Sequence, residues 1–153
     1  IYLIFLKERV KFIEWTLRKY TLLSEGDPEF VKQRDVFYCE FGFNIGSEIK
    51  EKRPAVIIQN NRGNSSSRTT IIAPVSTHQN CSFFESKGIK YIQFKNEFGE
   101  VSTKKLDYYE IPISLEKEYG ERIKGYINLA QIKTISKKRL SKFPVAKITI
   151  KNY

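Results

Sequence analysis

From Val36 onward the apolar residues come in short runs separated by polar turns, a pattern that leaves little room for anything but a small all-β body. Ala55 to Ile58 and Thr70 to Val75 are unbroken apolar runs, as in strands buried on both faces. Val36 to Phe41 alternates roughly. Gly88 to Phe94, Tyr108 to Ile113 and Tyr126 to Ile135 read as further strands, and Val145 to Ile150 (VAKITI) as a last one. Asn60 to Ser67 (NNRGNSSS) reads as a polar turn, Asn96 to Gly99 as a hairpin turn, and Lys137 to Ser141 as a short basic turn or helix. The pattern predicts a small closed barrel.

Residues 1–23 follow a different period. Leu6, Val10, Ile13, Leu17 and Tyr20 share one helix face, widened by Phe12 and Trp15, while Lys7, Glu14, Arg18 and Lys19 are expected to face water. Gly26 and Asp27-Pro28 stop the helix. Such a helix packs on a domain or across a dimer. Its opening IYLIFLKERV puts the apolar residues before the charges, the reverse of a signal peptide. The expected division is a helix and linker over residues 1–30, then a barrel over residues 31–153. At 153 residues the chain suffices for one core with one appended element.

The net charge of +10 fits a polyanionic partner. Cys39 and Cys81 have no metal-ligand spacing and are expected as reduced thiols of a cytoplasmic protein. The lone His78 argues against a histidine-rich metal site and against a two-histidine ribonuclease. No run of ~18 apolar residues is present, so no membrane span is expected.

Four ordered blocks are more specific. Asp35-Val36 opens a strand and Gly46-Ser47-Glu48 follows in a loop. Then come Arg53-Pro54 with Ala55 to Ile58, Gln59 and Asn60, and the strand ending Ala73-Pro74-Val75-Ser76. Asn128-Leu129-Ala130-Gln131-Ile132-Lys133-Thr134-Ile135 stands later, before Lys138-Arg139-Leu140. Over roughly residues 34–141 this order resembles the MazF/PemK family of toxin–antitoxin ribonucleases. The resemblance implies a mainly β fold with helices (α+β), an SH3-like small barrel of the MazF/PemK/CcdB type carrying here an added N-terminal helix. It also implies a homodimer that cuts single-stranded RNA without metal or cofactor. A cognate antitoxin would block the RNA groove, and operator DNA would be bound only together with that antitoxin.

Cleavage of this kind needs proton removal from the ribose 2′-OH, stabilisation of a phosphorane, and proton delivery to the leaving 5′-oxygen. Arg53 matches the family's catalytic arginine, and charge stabilisation suits a guanidinium that scarcely deprotonates. Ser76 falls where the family usually has threonine, with Thr77 as its neighbour in case the register slips. His78, two residues on, has the intrinsic pKa for proton transfer. Glu48 is a candidate to hold Arg53. Gln59, Asn60 and Asn64 are candidates for the substrate side, although organising the loop after the Arg53 strand fits them equally. Gln131 and Lys133 are candidate RNA contacts. Asn128 and Ala130 stand where PemK-like members carry an arginine and an aspartate, so a mechanism with that acid as base is not open to this chain.

About twenty residues within 79–105 are added relative to the family. They mix aromatics with lysines, which suits base stacking and equally a hairpin with one apolar face in the core. The long C-terminal helix of the family is not evident, and helix 1–23 is expected to take its place or to lie across the dimer. A catalytically silent nucleic-acid-binding or regulatory module, or a gyrase-targeting toxin, are the alternatives. Arg53 with Ser76 favours the ribonuclease.

Overall fold

The computed structural model describes residues 1–78, 80–115 and 122–149. Helix α1 (Tyr2–Ser24) precedes the β body. Among the described residues the body has strands β1 (Asp35–Glu40), β2 (Lys52–Ile57), β3 (Thr69–Thr77), β4 (Cys81–Ser86), β5 (Ile89–Lys95), β6 (Val101–Lys105), β7 (Glu110–Leu115), β8 (Ile123–Asn128), β9 (Lys133–Ser136) and β10 (Ala146–Lys147), with a short helix α2 (Asn61–Ser66) after β2. Seven strands form one sheet in the order β10-β1-β2-β3-β8-β7, with β9 also on β3. A bridge between Cys39 and Leu140 brings the far side of that sheet back to β1, so the sheet curls into a nearly closed barrel. The expected α+β, SH3-like barrel with an added helix is what the chain forms.

Both faces of the central strands are covered, which is why their sequences read as unbroken apolar runs. Phe37, Cys39, Ala55, Ile57, Ile72, Ile135 and Leu140 pack inside the barrel. Val36, Val56, Ala73, Val75, Ile123, Ile127 and Ala146 pack on the opposite face. Burial pushes the Cys39 thiol up to about 12, leaving an inert core residue. Cys39 and Cys81 are both free and buried.

Three expected elements differ. NNRGNSSS is not a plain turn: Asn60 caps α2 by accepting from the Gly63 N–H at 2.8 Å, and the buried Asn64 carboxamide accepts from Thr70 Oγ1 at 2.7 Å and donates to the Gln59 carbonyl. These local bonds make a helical turn from residues with poor helix propensity. Tyr126 to Ile135 is not one strand. Asn128 caps a single 3-10 turn (Leu129–Gln131) that moves the chain from the β8 position on β3 to the β9 position further along the same edge. The strand expected over Val145 to Ile150 is reduced to β10, and Ile150 lies outside the described residues.

The region within 79–105 is a separate antiparallel meander, β4-β5-β6. Cys81, Phe83, Ile92, Phe94 and Lys104 alternate onto one face; Ser82, Phe84, Tyr91, Gln93, Thr103 and Lys105 onto the other. The first face packs on the barrel around Cys81, Ile92, Leu106 and Tyr126.

Helix α1 sits on the body by the edge of the expected face, with Phe12 edge-on to Phe43 at 5.6 Å. Its seat on the body is made by Phe12, Trp15, Arg18 and Leu22, with Lys11 paired to Glu51 at 3.3 Å, and not by the Leu6–Tyr20 stripe. Arg18, expected in water, forks onto Glu40 with two 2.7 Å bonds and also reaches Glu25 at 2.7 Å. A Cβ on Gly42 would lie 2.3 Å from the Trp15 ring, so only glycine lets the indole lie against that backbone. Lys138 Nζ donates to the carbonyls of Leu23 and Glu25, the favoured cation position at a helix C-terminus. Periodicity identifies an apolar stripe, but it does not say which face the rest of the chain will take.

Candidate functional site

The site is fixed by register. In the β2–β3 pair Ala55 lies opposite Pro74 and Ile57 opposite Ile72. Continuing that register by two residues sets Arg53 opposite Ser76, and Ser76 is opposite Tyr126 on β8. Residues directly across an antiparallel pair share a face. Arg53, Ser76 and Tyr126 therefore form a row across three strands. They continue the interior face of Ala55, Ile57 and Ile72 at the point where it opens to solvent, and all three are half-buried. The ladder runs on through the His78 N–H to the Lys124 carbonyl at 2.8 Å, which adds His78 to the same face. Thr77 sits on the opposite face, exposed and paired with Gly125, so of the two adjacent hydroxyls it is Ser76 that accompanies Arg53.

Gly125 sets the spacing of this row. A Cβ there would fall 1.9 Å from the Ser76 carbonyl oxygen. The two strands cross more closely than any side-chain-bearing residue permits, which brings Tyr126 against the end of β3.

Arg53 Nε donates to the Lys50 carbonyl at 2.9 Å, which fixes the plane of the guanidinium. Its two terminal nitrogens make no hydrogen bond among the described residues. Glu48 does not hold Arg53: it closes its own loop by accepting the Ile45 N–H at 2.9 Å. Gln131 fastens the same loop from the other side, accepting from the Ile49 N–H at 2.6 Å and donating to the Ser47 carbonyl at 3.1 Å. Lys133 is exposed on β9 beside that contact, and Gln131 and Lys133 line a cleft with Glu48.

The face of the meander that packs on the barrel walls the site. The Phe94 ring lies 4.2 Å from His78, and the Tyr126 ring lies near parallel to the imidazole at 6.0 Å. Lys104 Nζ stands 4.8 Å over the Tyr126 ring and is held at 2.6 Å by Glu110, a buried carboxylate. Burial, then the charges of Lys104 and Arg53, lower the His78 pKa from its usual value, so the imidazole is neutral at neutral pH. Hydrogen bonding to Glu110 raises the Lys104 pKa despite burial, which keeps it a cation. The row is thus an electropositive, aromatic-walled strip with one hydroxyl and one neutral imidazole.

Residues 32–151 match the family model described as the PemK-like, MazF-like toxin of type II toxin–antitoxin systems. The chain belongs to this toxin family. A curated relative, Endoribonuclease EndoA of Bacillus subtilis (strain 168), is 29% identical over 114 residues, covering 72% of this chain and 75% of that protein.

Within this toxin, the candidates separate into two groups. Arg53, Ser76 and His78 come together. Gln59, Asn60 and Asn64 lie past the other end of β2, some six residues or ~20 Å of extended strand from Arg53. There they carry the organising role: besides the α2 contacts, Gln59 Nε2 donates to the Thr69 carbonyl and the Lys137 ammonium donates to the Asn64 carbonyl. Lys104 was expected only as one of the insertion's lysines suited to phosphate contact, and Tyr126 and Glu110 were not singled out by sequence. Glu110, an acid inside an otherwise apolar strand stretch, was the available signal.

Proposed function

We propose that this toxin is an endoribonuclease that cuts single-stranded RNA without a metal, leaving a 2′,3′-cyclic phosphate and a 5′-OH. The observation that carries the reading is the row in which Arg53, its terminal nitrogens unengaged among the described residues, stands across from Ser76. In this scheme the 2′-oxygen bonds to the adjacent phosphorus and the bond to the 5′-oxygen breaks. The Arg53 fork takes the phosphorane oxygens as their charge develops. Ser76 Oγ donates to a non-bridging oxygen. Neutral His78, on the same face, takes the proton from the 2′-OH and passes it to solvent, and a solvent water protonates the leaving 5′-oxygen. Lys104 and Lys124 add positive potential for flanking phosphates.

The exposed face of the meander extends the RNA path. Phe84 and Tyr91 lie parallel there, rings 5.1 Å apart, with Lys105 opposite Tyr91. Stacked rings beside a cation suit single-stranded bases. A type II toxin also has an antitoxin partner; we place it over the same strip, on a homodimeric and cytoplasmic toxin, with operator DNA bound only by the pair.

The test is incubation of the full chain with single-stranded RNA in excess EDTA, alongside Arg53→Ala. We expect cleavage with cyclic-phosphate ends, reduced on the order of 100–1,000-fold in the variant. Equal cleavage by the variant overturns the assignment of Arg53. Intact RNA held tightly by the wild type shows a binding module instead.

A further inference from the structure

We propose that α1 is a self-association helix, whose outward stripe packs against the same stripe of a second copy as a two-stranded coiled coil. Leu3, Leu6, Val10, Ile13, Leu17 and Tyr20 alternate three and four residues apart along almost the whole helix, which is the 3.5-residue period of a coiled-coil seam. These six are 45% to 77% exposed. That amounts to a contiguous apolar strip of a kind that free surfaces rarely carry. The helix is not loose. Arg18 on Glu40, Trp15 on Gly42 and Lys138 on the helix end clamp its opposite face to the body, so the strip is held pointing outward.

The residues flanking the strip choose the occupant. Lys7 and Glu14 lie along one flank and Arg9 along the other. In parallel pairing, Arg9 faces the partner's Glu14, and two-fold symmetry repeats the contact. In antiparallel pairing centred between Val10 and Ile13, Lys7 takes that place. Either way the strip is self-complementary in charge as well as in shape, which a strip built for an unrelated helix need not be. The contact lies on α1 alone, apart from any pairing of the barrels, and does not rest on the ribonuclease reading.

The experiment is oxidative cross-linking of the full chain. Val10→Cys alone reports parallel pairing, and Val10→Cys mixed with Ile13→Cys reports antiparallel pairing. Lys19→Cys, on the helix flank, is the control. Cys39 and Cys81 are buried and give little background. We expect a covalent dimer on a non-reducing gel at least tenfold above the control, in both seam samples for parallel pairing and in the mixed sample alone for antiparallel pairing. We also expect at least tenfold weaker association of a Val10→Glu/Leu17→Glu double variant, measured by sedimentation. Seam cysteines that cross-link no more than Lys19→Cys overturn the proposal, whatever the barrels do. A covalent dimer that forms equally at all three positions also overturns it, since it reflects random collision.

Discussion

Gly125→Ala is the sharpest test of how the row is built. The added Cβ would sit 1.9 Å from the Ser76 carbonyl oxygen, where approaches under 3.0 Å are essentially never seen. The strands must therefore separate by about 1 Å at Ser76, or the backbone must give elsewhere. Overpacking of this kind costs ~1–3 kcal/mol, and the φ of +157°, which side chains rarely adopt, adds ~1–3 kcal/mol. A total of about 4 kcal/mol corresponds to a fall in Tm on the order of 10 °C for a chain of this size. A shift of about 1 Å in the strand carrying Ser76 should also slow cleavage by roughly 100-fold in the protein that remains folded. Calorimetry gives the first number, and RNA cleavage normalised to folded protein gives the second. Gly88→Ala is the control: its φ is also positive, at +75°, but nothing lies within 4 Å of the new Cβ, so only backbone strain is felt. A Gly125→Ala protein that melts and cleaves like wild type would refute the claim that close strand crossing positions Ser76.

Four further outcomes follow from the geometry. If His78 carries the proton in its neutral form, the cleavage rate falls as pH drops through a midpoint below the ordinary histidine value of ~6.5, and His78→Gln flattens that limb of the profile. The depressed pKa also means that the unfolded chain binds the proton first, so stability is lost as pH falls from ~6.5 toward the folded midpoint; urea titrations at pH 7 and 5.5 read this. Phe84→Ala should raise KM for RNA long enough to cross the meander by about 5–100-fold, the equivalent of one lost base stack, and leave a minimal substrate unaffected; equal KM values on long RNA rule the platform out. Asn64→Ala removes the acceptor of Thr70 Oγ1 in a buried site and should lower stability by about 2 kcal/mol in a denaturant melt.

How far the sequence could be read depended on what kind of signal each part used. The barrel was legible because Ala55–Ile58 and Thr70–Val75 are apolar on both faces, a pattern only a doubly covered strand needs. Arg53 and Ser76 were legible because their spacing matches the family blocks; extending the β2–β3 register two residues beyond the Ala55–Pro74 pair sets them across from one another. Helix α2 was hidden because its residues are polar and its stability comes from the side-chain amides of Asn60 and Asn64. The break at Asn128 was hidden because a 3-10 turn leaves the apolar pattern almost uninterrupted. The two sequence readings of the meander, core hairpin or RNA platform, proved to describe different faces of one sheet: Phe83 and Phe94 turn inward while Phe84 and Tyr91 turn outward. Alternation was present in the sequence, but which face met the barrel was not.

The closure of the barrel also sets a timetable. Tyr38 bonds to Ser141 across 103 residues, and Cys39 bridges to Leu140 beside it. Until that stretch has left the ribosome, β1 keeps an open edge and the barrel is an unclosed sheet. Tyr126, which completes the row with Arg53 and Ser76, emerges only shortly before it. A nascent chain therefore holds Arg53 and Ser76 long before it holds a finished site, and contacts this distant in sequence form slowly.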